Sequence, residues 1–296
     1  HNHKARALKT TVLRRTGRRE EALRLIDESL DIDKFNFGCR FEKYLLTGAE
    51  EDLNVLKELM RRDANNYDEI ALDYCGAGCW EEAACLWRIA VGEQAVTPMT
   101  YYYLGWCLKQ GGLDGSEQAF AEAAACCPDY CFPNRLEAVL ALQCAIGENP
   151  GDAKAPYYLG NLYYDKRQYD LAISGWEASA RLDGNFPTVW RNLALAYFNK
   201  KDDKRLAVEC MERAFALDTT DARILMELDQ LYKRMQRPHA ERLAFLQKYP
   251  QLIAGRDDLL LEEITLLNQT GDYTQAKELL DGHIFHPWEG GEGKVS

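Results

Sequence analysis

The stretch PYYLGNLYYDKRQYDLAISGWEASARLD, Pro156–Asp183, decides the fold. Its opening puts Leu159, Leu162 and Tyr163 on one helical face at i, i+3 and i+4. After the turn DKRQY, a second helix is expected to bury Leu171, Trp176 and Ala180 in the same way. The outline recurs as VWRNLALAYFNKKDDKRLAVECMERAFALD, Val189–Asp218, and again as ILMELDQLYKRMQRPHAERLAFLQKYP, Ile224–Pro250. Leu159, Leu193 and Leu228 hold equivalent places, 34 and then 35 residues apart, and Tyr163, Tyr197 and Tyr232 march with them.

The step continues in both directions. Upstream, Ile70 and Leu104 are again 34 apart, in EIALDYCGAGCWEEAACLWRIA and YYYLGWCLKQGG; downstream, Tyr273 follows Tyr169 by 104 residues, about three periods. Small residues recur where helix backbones approach: Gly105, Gly160 and Ala194 in first helices, Ala83, Ala172 and Ala276 in second ones. Pro98, Pro156 and Pro187 fall at or near helix starts, where a missing N–H costs little. No long stretch alternates with period two, so no sheet is expected.

This pattern resembles the tetratricopeptide repeat (TPR), with Trp190, Leu193, Ala194 and Tyr197 on the family's first-helix signature. Tyr157, Tyr158, Leu159, Gly160, Tyr163 and Ala172 match it nearly as well. The resemblance covers residues 64–282 clearly and 3–62 more weakly, where RRTGRREEALRLIDESL supplies a turn and a second helix. It implies an all-α fold: a TPR-like right-handed α-solenoid of about eight helix pairs. One irregularity interrupts it. Gly105 to Gly160 spans 55 residues, a repeat plus about 21, and CCPDYCFPNRLEAVLALQCAIGENP offers one good helix, about Asn134–Ile146. The expected organisation is therefore N-terminal repeats over 1–126, a single-helix insertion over 127–150, C-terminal repeats over 151–282, and a glycine-rich connector over 283–296.

A second resemblance rests on NHKARALKTTVLRRTGR, APYYLGNLYYDKR, LDQLYKR and FHPWEGGEGKV. Together these look like a bacterial family of large proteins in which such an array follows an N-terminal β-sandwich of uncharacterised function, similar to carbohydrate-processing sandwiches. It implies that the chain is a slice of a longer protein. The start without methionine and the end on KVS fit that expectation.

The chain has 296 residues, 47% hydrophobic and 28% charged, enough to bury a sizeable core. No apolar run approaches the roughly 20 residues that span a bilayer. Net charge is −11, yet residues 1–24 carry +6 and the remainder −17. That balance argues against nucleic acid as the main partner, because phosphate binding needs a basic face. The basic N-terminus reads first as a solvated helix face and second as a contact for an acidic neighbour. Ten cysteines without paired spacing, several at apolar helical positions such as Cys107, Cys144 and Cys210, favour free thiols and a cytoplasmic setting.

Catalytic chemistry finds little support. The closing HPWEGGEGKVS, His286–Ser296, fails as a phosphate-binding loop: Trp288 stands where the first glycine is needed and Val295 where Ser or Thr is needed. It reads instead as a connector, with Trp288 packing back on the array. His283 and His286 lack an evident third metal ligand and read as a loop or cap. Cys126, Cys127, Cys131 and Cys144 match no zinc spacing and read as buried thiols, and Cys75 and Cys79 likewise. The acidic pairs Asp257–Asp258 and Glu262–Glu263 diverge on a helix and read as a helix start and solvated faces. The segment is not expected to be an enzyme, and no cofactor or metal is expected.

The TPR resemblance implies a concave groove lined by first helices at repeat positions two, five, nine and twelve. Repeats starting at 98, 153, 187 and 222 place Tyr102, Trp106 and Lys109, then Lys154, Tyr157, Asn161 and Tyr164, then Arg191 and Phe198, then Arg223, Gln230 and Lys233. A peptide-carboxylate clamp of the TPR kind would find Asn161, Asn192 and Arg223 in place, but Tyr157 replaces a lysine and Glu227 an arginine; Glu227 would repel a carboxylate, so no such clamp is expected. The expected role is a non-catalytic scaffold binding a protein or peptide, or an intramolecular β-sandwich domain, through the groove. The alternative is an accessory array that shapes or covers the site of a larger carbohydrate-active enzyme. Self-association through the basic N-terminus is a third reading; neither nucleic acid nor membrane is expected.

Overall fold

The computed structural model describes residues 2–286, in two compact units, His1–Lys166 and Arg167–Ser296. In the first, consecutive helices pack as pairs: α1 (His3–Arg15) with α2 (Arg19–Ile32), α3 (Phe37–Thr47) with α4 (Glu50–Met60), α5 (Ala64–Gly76) with α6 (Trp80–Gly92), and α7 (Pro98–Gly111) with α8 (Ser116–Ala125). Residues 126–136 then run without helix. The single helix α9 (Glu137–Glu148) packs on α7 and on α10 (Lys154–Asp165) and barely meets α8. The second unit holds α11 (Tyr169–Leu182), α12 (Pro187–Ala196), α13 (Lys204–Leu217), α14 (Ala222–Arg234), α15 (His239–Leu246), the short α16 (Pro250–Ala254), α17 (Asp257–Thr270) and α18 (Tyr273–Asp281). Here α12 pairs with α13, α14 with α15, and α17 with α18. There is no strand among the described residues, and none of their helices is long and apolar enough to cross a membrane. The all-α array of TPR-like pairs follows the sequence pattern.

Local chemistry sets the helix starts. Thr97 and Thr100 form a capping box ahead of α7, with Pro98 in the first turn, and Pro187 opens α12. Asp203, Asp221 and Asp272 accept backbone N–H groups at the starts of α13, α14 and α18. The small-residue positions are close approaches: a Cβ on Gly105 would lie 2.6 Å from the Phe120 ring, so α7 and α8 pack as tightly as they do only with glycine there. Ala83, Ala172, Ala194 and Ala276 are all buried.

Several expectations are corrected. Leu171 is half exposed, whereas Ala172, Ile173, Trp176 and Ala180 are buried. The inward stripe of α11 is centred one residue further on, which at 3.6 residues per turn rotates Leu171 out. The basic N-terminus is not simply a solvated face. Lys4 pairs with Asp73, Arg6 with Glu28, Arg14 turns inward to Glu42 and Glu82, and Arg15, itself exposed, holds Glu82 as well. Its acidic neighbours belong to the same chain. Nor are Glu262 and Glu263 solvated: both are buried, Glu262 under Lys233 and Arg242, while Gln247 donates to Glu263. All ten cysteines are free, but of the four read as buried thiols only Cys131 is buried: Cys126 and Cys144 are half-buried and Cys127 is exposed.

Asp68 is a buried carboxyl whose Oδ1 accepts the Trp87 indole N–H at 2.8 Å. Burial pushes it up to about 6, the Trp87 hydrogen bond opposing. A folded-state value above the unfolded one means the native state holds the extra proton between about pH 4 and 6. Stability from this group therefore falls as pH rises through that window. Asp68→Asn keeps an acceptor for Trp87 and removes the titration. Urea melts from pH 4.5 to 7.5 are expected to show the variant gaining on the wild type as pH rises, by up to about 3 kcal/mol.

Candidate functional site: the first-helix faces

The residues that sequence spacing assigns to a groove separate into three groups. Tyr102, Trp106 and Tyr157 belong to the core. The Tyr102 hydroxyl donates to Asp152 Oδ2 at 2.7 Å and its ring meets Tyr158 edge-on, while Trp106 packs edge-on against Trp80. Burial raises the Tyr102 phenol far above its usual range, with the Asp152 carboxylate adding to the effect. These aromatics fasten one helix to the next and present little surface to a ligand.

A second group is held in polar contacts. The Lys154 ammonium donates to the carbonyls of Ala124, at 2.7 Å, and Cys126, satisfying the C-terminal end of α8 from α10. Asn161, Tyr164 and Asn192 are half-buried and engaged. Phe198 sits in a π-helical turn, Tyr197–Lys201, that widens the end of α12; the Arg234 guanidinium lies 5.2 Å from its ring centre.

The third group forms a charge ladder between successive first helices of the second unit. Arg191 on α12 grips Glu227 on α14 with both arms of its guanidinium, Nε to Oε2 at 2.6 Å. Arg223 reaches the same carboxylate at 3.2 Å from one turn away. Lys233, further along α14, meets both oxygens of Glu262 on α17 at 2.9 and 3.0 Å. Arg223 remains 66% exposed and Lys233 46%. Gln230 lies between them on α14, half-buried, with its amide 4.0 Å from Met226 Sδ. In the first unit, Lys109 pairs with Glu148 in the same exposed manner at 2.8 Å. Glu227 is thus an anion already claimed by two arginines.

Spacing alone misses two features. The first is a recess of about 190 Å³ among α1, α3 and α5, reached by Lys4, Asn36 and Asp73. The first two repeats match the pattern too weakly to set a register there. The second is an apolar strip at the break: Tyr130, Phe132, Leu136 and Leu140 are all more than half exposed, Tyr130 by 95%. The composition of residues 130–140 would have flagged it. At the far end, His283 Nε2 and the His286 backbone N–H converge on Asp257, at 2.8 and 2.6 Å, tying the tail to the first turn of α17. Among the described residues no group of three or more His, Cys, Asp or Glu is arranged to hold a metal. The proposed packing of Trp288, in the segment 287–296, lies outside the described residues.

By class, then, the described chain is an array of TPR-like helix pairs. A family model described as tetratricopeptide repeat matches residues 134–188, a stretch that takes in α9, α10 and α11. Solved structures with similarity include MamA from Desulfovibrio magneticus RS-1, 20% identical, covering 66% of this chain and 97% of that one with a TM-score of 0.37. The C-terminal part of a TPR repeat-containing protein from Cytophaga hutchinsonii is 14% identical over 93% of both chains, with a TM-score of 0.44. PilF of Pseudomonas aeruginosa is 17% identical, covering 74% of this chain and 89% of that one at 0.41. Identities and TM-scores this low transfer no partner or activity.

Proposed function

We propose that the chain is a non-catalytic scaffold that binds a polypeptide along the first-helix faces. The observation that carries this reading is the ladder of partly exposed cations on shared carboxylates, Arg191 and Arg223 on Glu227 and Lys233 on Glu262. The exposed cations Arg223 and Lys233 contribute only about 0–1 kcal/mol each to their ion pairs, so a polypeptide can draw them off at small cost, whereas Arg191 and the buried Glu262 stay in place. An extended chain crossing α12 and α14 toward α17 would meet Arg191, then Arg223, Gln230 and Lys233, with the Glu262 carboxylate beyond them. A companion domain, the other form of this reading, draws on the apolar strip Tyr130–Leu140, which suits a broad apolar contact.

Trp106 is too deeply packed to report on binding, so the test uses exposed positions. Polypeptides captured on the immobilised chain are rebound to Arg223→Glu/Lys233→Glu and to Phe132→Asp/Leu136→Asp. Loss of roughly tenfold or more in affinity with the first pair supports the ladder, and with the second pair the strip. Affinity unchanged in both variants overturns the reading.

A further inference from the structure

The single helix α9 carries apolar side chains on two opposite sides. Ala138, Ala141, Leu142 and Ala145 are buried, on the side that packs on α7 and α10. Leu136, Leu140, Gln143 and Gly147 form a stripe about 60° wide on the other side, and all four are exposed. Leu136 belongs to the stripe because its backbone is already helical, although it stands at the N-cap. Tyr130 and Phe132 continue the apolar surface ahead of the helix. A helix that is apolar all round is ordinarily covered all round. Gly147 adds a second sign of contact. Its φ is not positive, and a Cβ there would meet nothing within 4 Å, so the fold of the chain does not call for glycine. Glycine weakens a helix and is kept where another backbone or side chain comes close.

Charge and area identify what covers this face. Residues 127–147 hold only three charged side chains, Asp129, Arg135 and Glu137, in a chain of net charge −11, and Arg135 is paired with Glu69. Two copies of so acidic a chain repel one another over most of their surface, and here there is least to repel. A basic partner drawn by the acidic surface would gain nothing at this face. Fully exposed, large apolar side chains offer about 150–250 Å² each. Tyr130 is 95% exposed, Phe132 74%, Leu136 73% and Leu140 53%, which leaves about 500 Å² per copy. Joining two copies would bury about 1,000 Å² through these side chains alone, the level at which specific interfaces begin.

We infer that two copies of the chain pair through this face, with their α9 helices antiparallel about a two-fold axis. The register sets Leu136 against Gly147 of the second copy and Leu140 against the stem of its Gln143, each contact occurring twice. Leucine over glycine lets the two helices approach closely. Tyr130 and Phe132 widen the contact beyond the helix.

Sedimentation equilibrium of the chain from about 1 to 200 μM tests the pairing. A monomer–dimer equilibrium with a dissociation constant on the order of 10 μM is expected. Leu136→Glu places a charge in the contact on both copies and is expected to weaken it by roughly tenfold or more. Gly147→Gln is the sharper variant, because the added side chain meets nothing in the chain's own fold. Its helical circular dichroism should be unchanged or slightly stronger, while the dimer weakens by roughly tenfold or more. Raising NaCl from about 0.05 to 0.5 M should leave the dimer as tight or tighter, since salt screens the repulsion between acidic surfaces. A chain that stays monomeric throughout leaves the strip to a different partner, a companion domain included, and overturns the proposal. So does a dimer that either variant leaves unchanged, or one that salt dissolves. None of these outcomes touches the charge ladder, whose test uses Arg223 and Lys233 on α14.

Discussion

Arg242→Ala is expected to cost about 3–5 kcal/mol of unfolding free energy, because it leaves buried charge without a counterion. The Arg242 side chain is 1% exposed and bridges two carboxylates, Asp229 on α14 at 3.0 and 2.5 Å and Glu262 on α17 at 2.6 Å. Burial pushes the Asp229 carboxyl up against the opposing pull of Arg242. Burial also works to raise Glu262, but the hydrogen bonds from Lys233 and Arg242 outweigh it and hold that group below its usual range. Without Arg242, Glu262 keeps Lys233 while Asp229 has no cation in contact. The variant's Asp229 should then titrate higher still. A raised folded-state value means the deficit is largest at neutral pH and shrinks as pH falls. Replacing both charges by apolar groups, Asp229→Leu with Arg242→Met, removes the desolvation cost along with the attraction. It should recover most of the loss. Urea unfolding at two pH values checks all three outcomes; a single variant as stable as the wild type would refute the account.

Glu42→Ala is the counterpart in the first unit, with an expected cost of about 3–5 kcal/mol by urea unfolding. Glu42 is fully buried on α3, where it accepts the Thr11 hydroxyl at 2.9 Å, the Tyr74 hydroxyl at 2.8 Å and Arg14 Nε at 2.7 Å. Arg14 continues to Glu82 on α6, which Arg15 also holds. One network therefore ties α1, α3, α5 and α6. Losing Glu42 strands the Tyr74 hydroxyl and half of Arg14; Thr11 still bonds the Ala7 carbonyl. Glu42→Gln keeps the shape but turns an NH2 toward donors, and about 1–3 kcal/mol is expected. Burial works to raise Glu82, yet the two arginines outweigh it and hold it near about 2. Its contribution is thus complete above the unfolded value, near 4.5, and is lost as pH falls toward 2. An Ala variant within 1 kcal/mol of wild type would show that the network relaxes without cost.

The helix pairs are legible in the sequence because an amphipathic helix is a local object. Leu159, Leu162 and Tyr163 share a face wherever the helix lies, and a period near 34 can be counted without coordinates. The single helix at the break is legible for the same reason, since one stripe with no second stripe beside it is visible in the residues. The groove is far less so. Spacing says that Tyr102 and Trp106 lie on a first helix, but the elements packed around it, before and after it in the chain, decide which face is covered. In the folded chain Asp152 and Trp80 cover both.

Charge is where the two levels part most clearly. The sequence by itself determined an all-α repeat of helix pairs, a net charge of −11 and the +6 excess at the N-terminus. Only the tertiary structure decided which of those charges face water. Arg14 meets Glu42 from 28 residues away and Glu82 from 68, and Arg242 meets Glu262 from 20. No local pattern encodes such pairings, because stacking the helices is what brings them within hydrogen-bond reach. The same stacking covers one side of α9 and leaves the other bare, because α7 and α10 reach only the first.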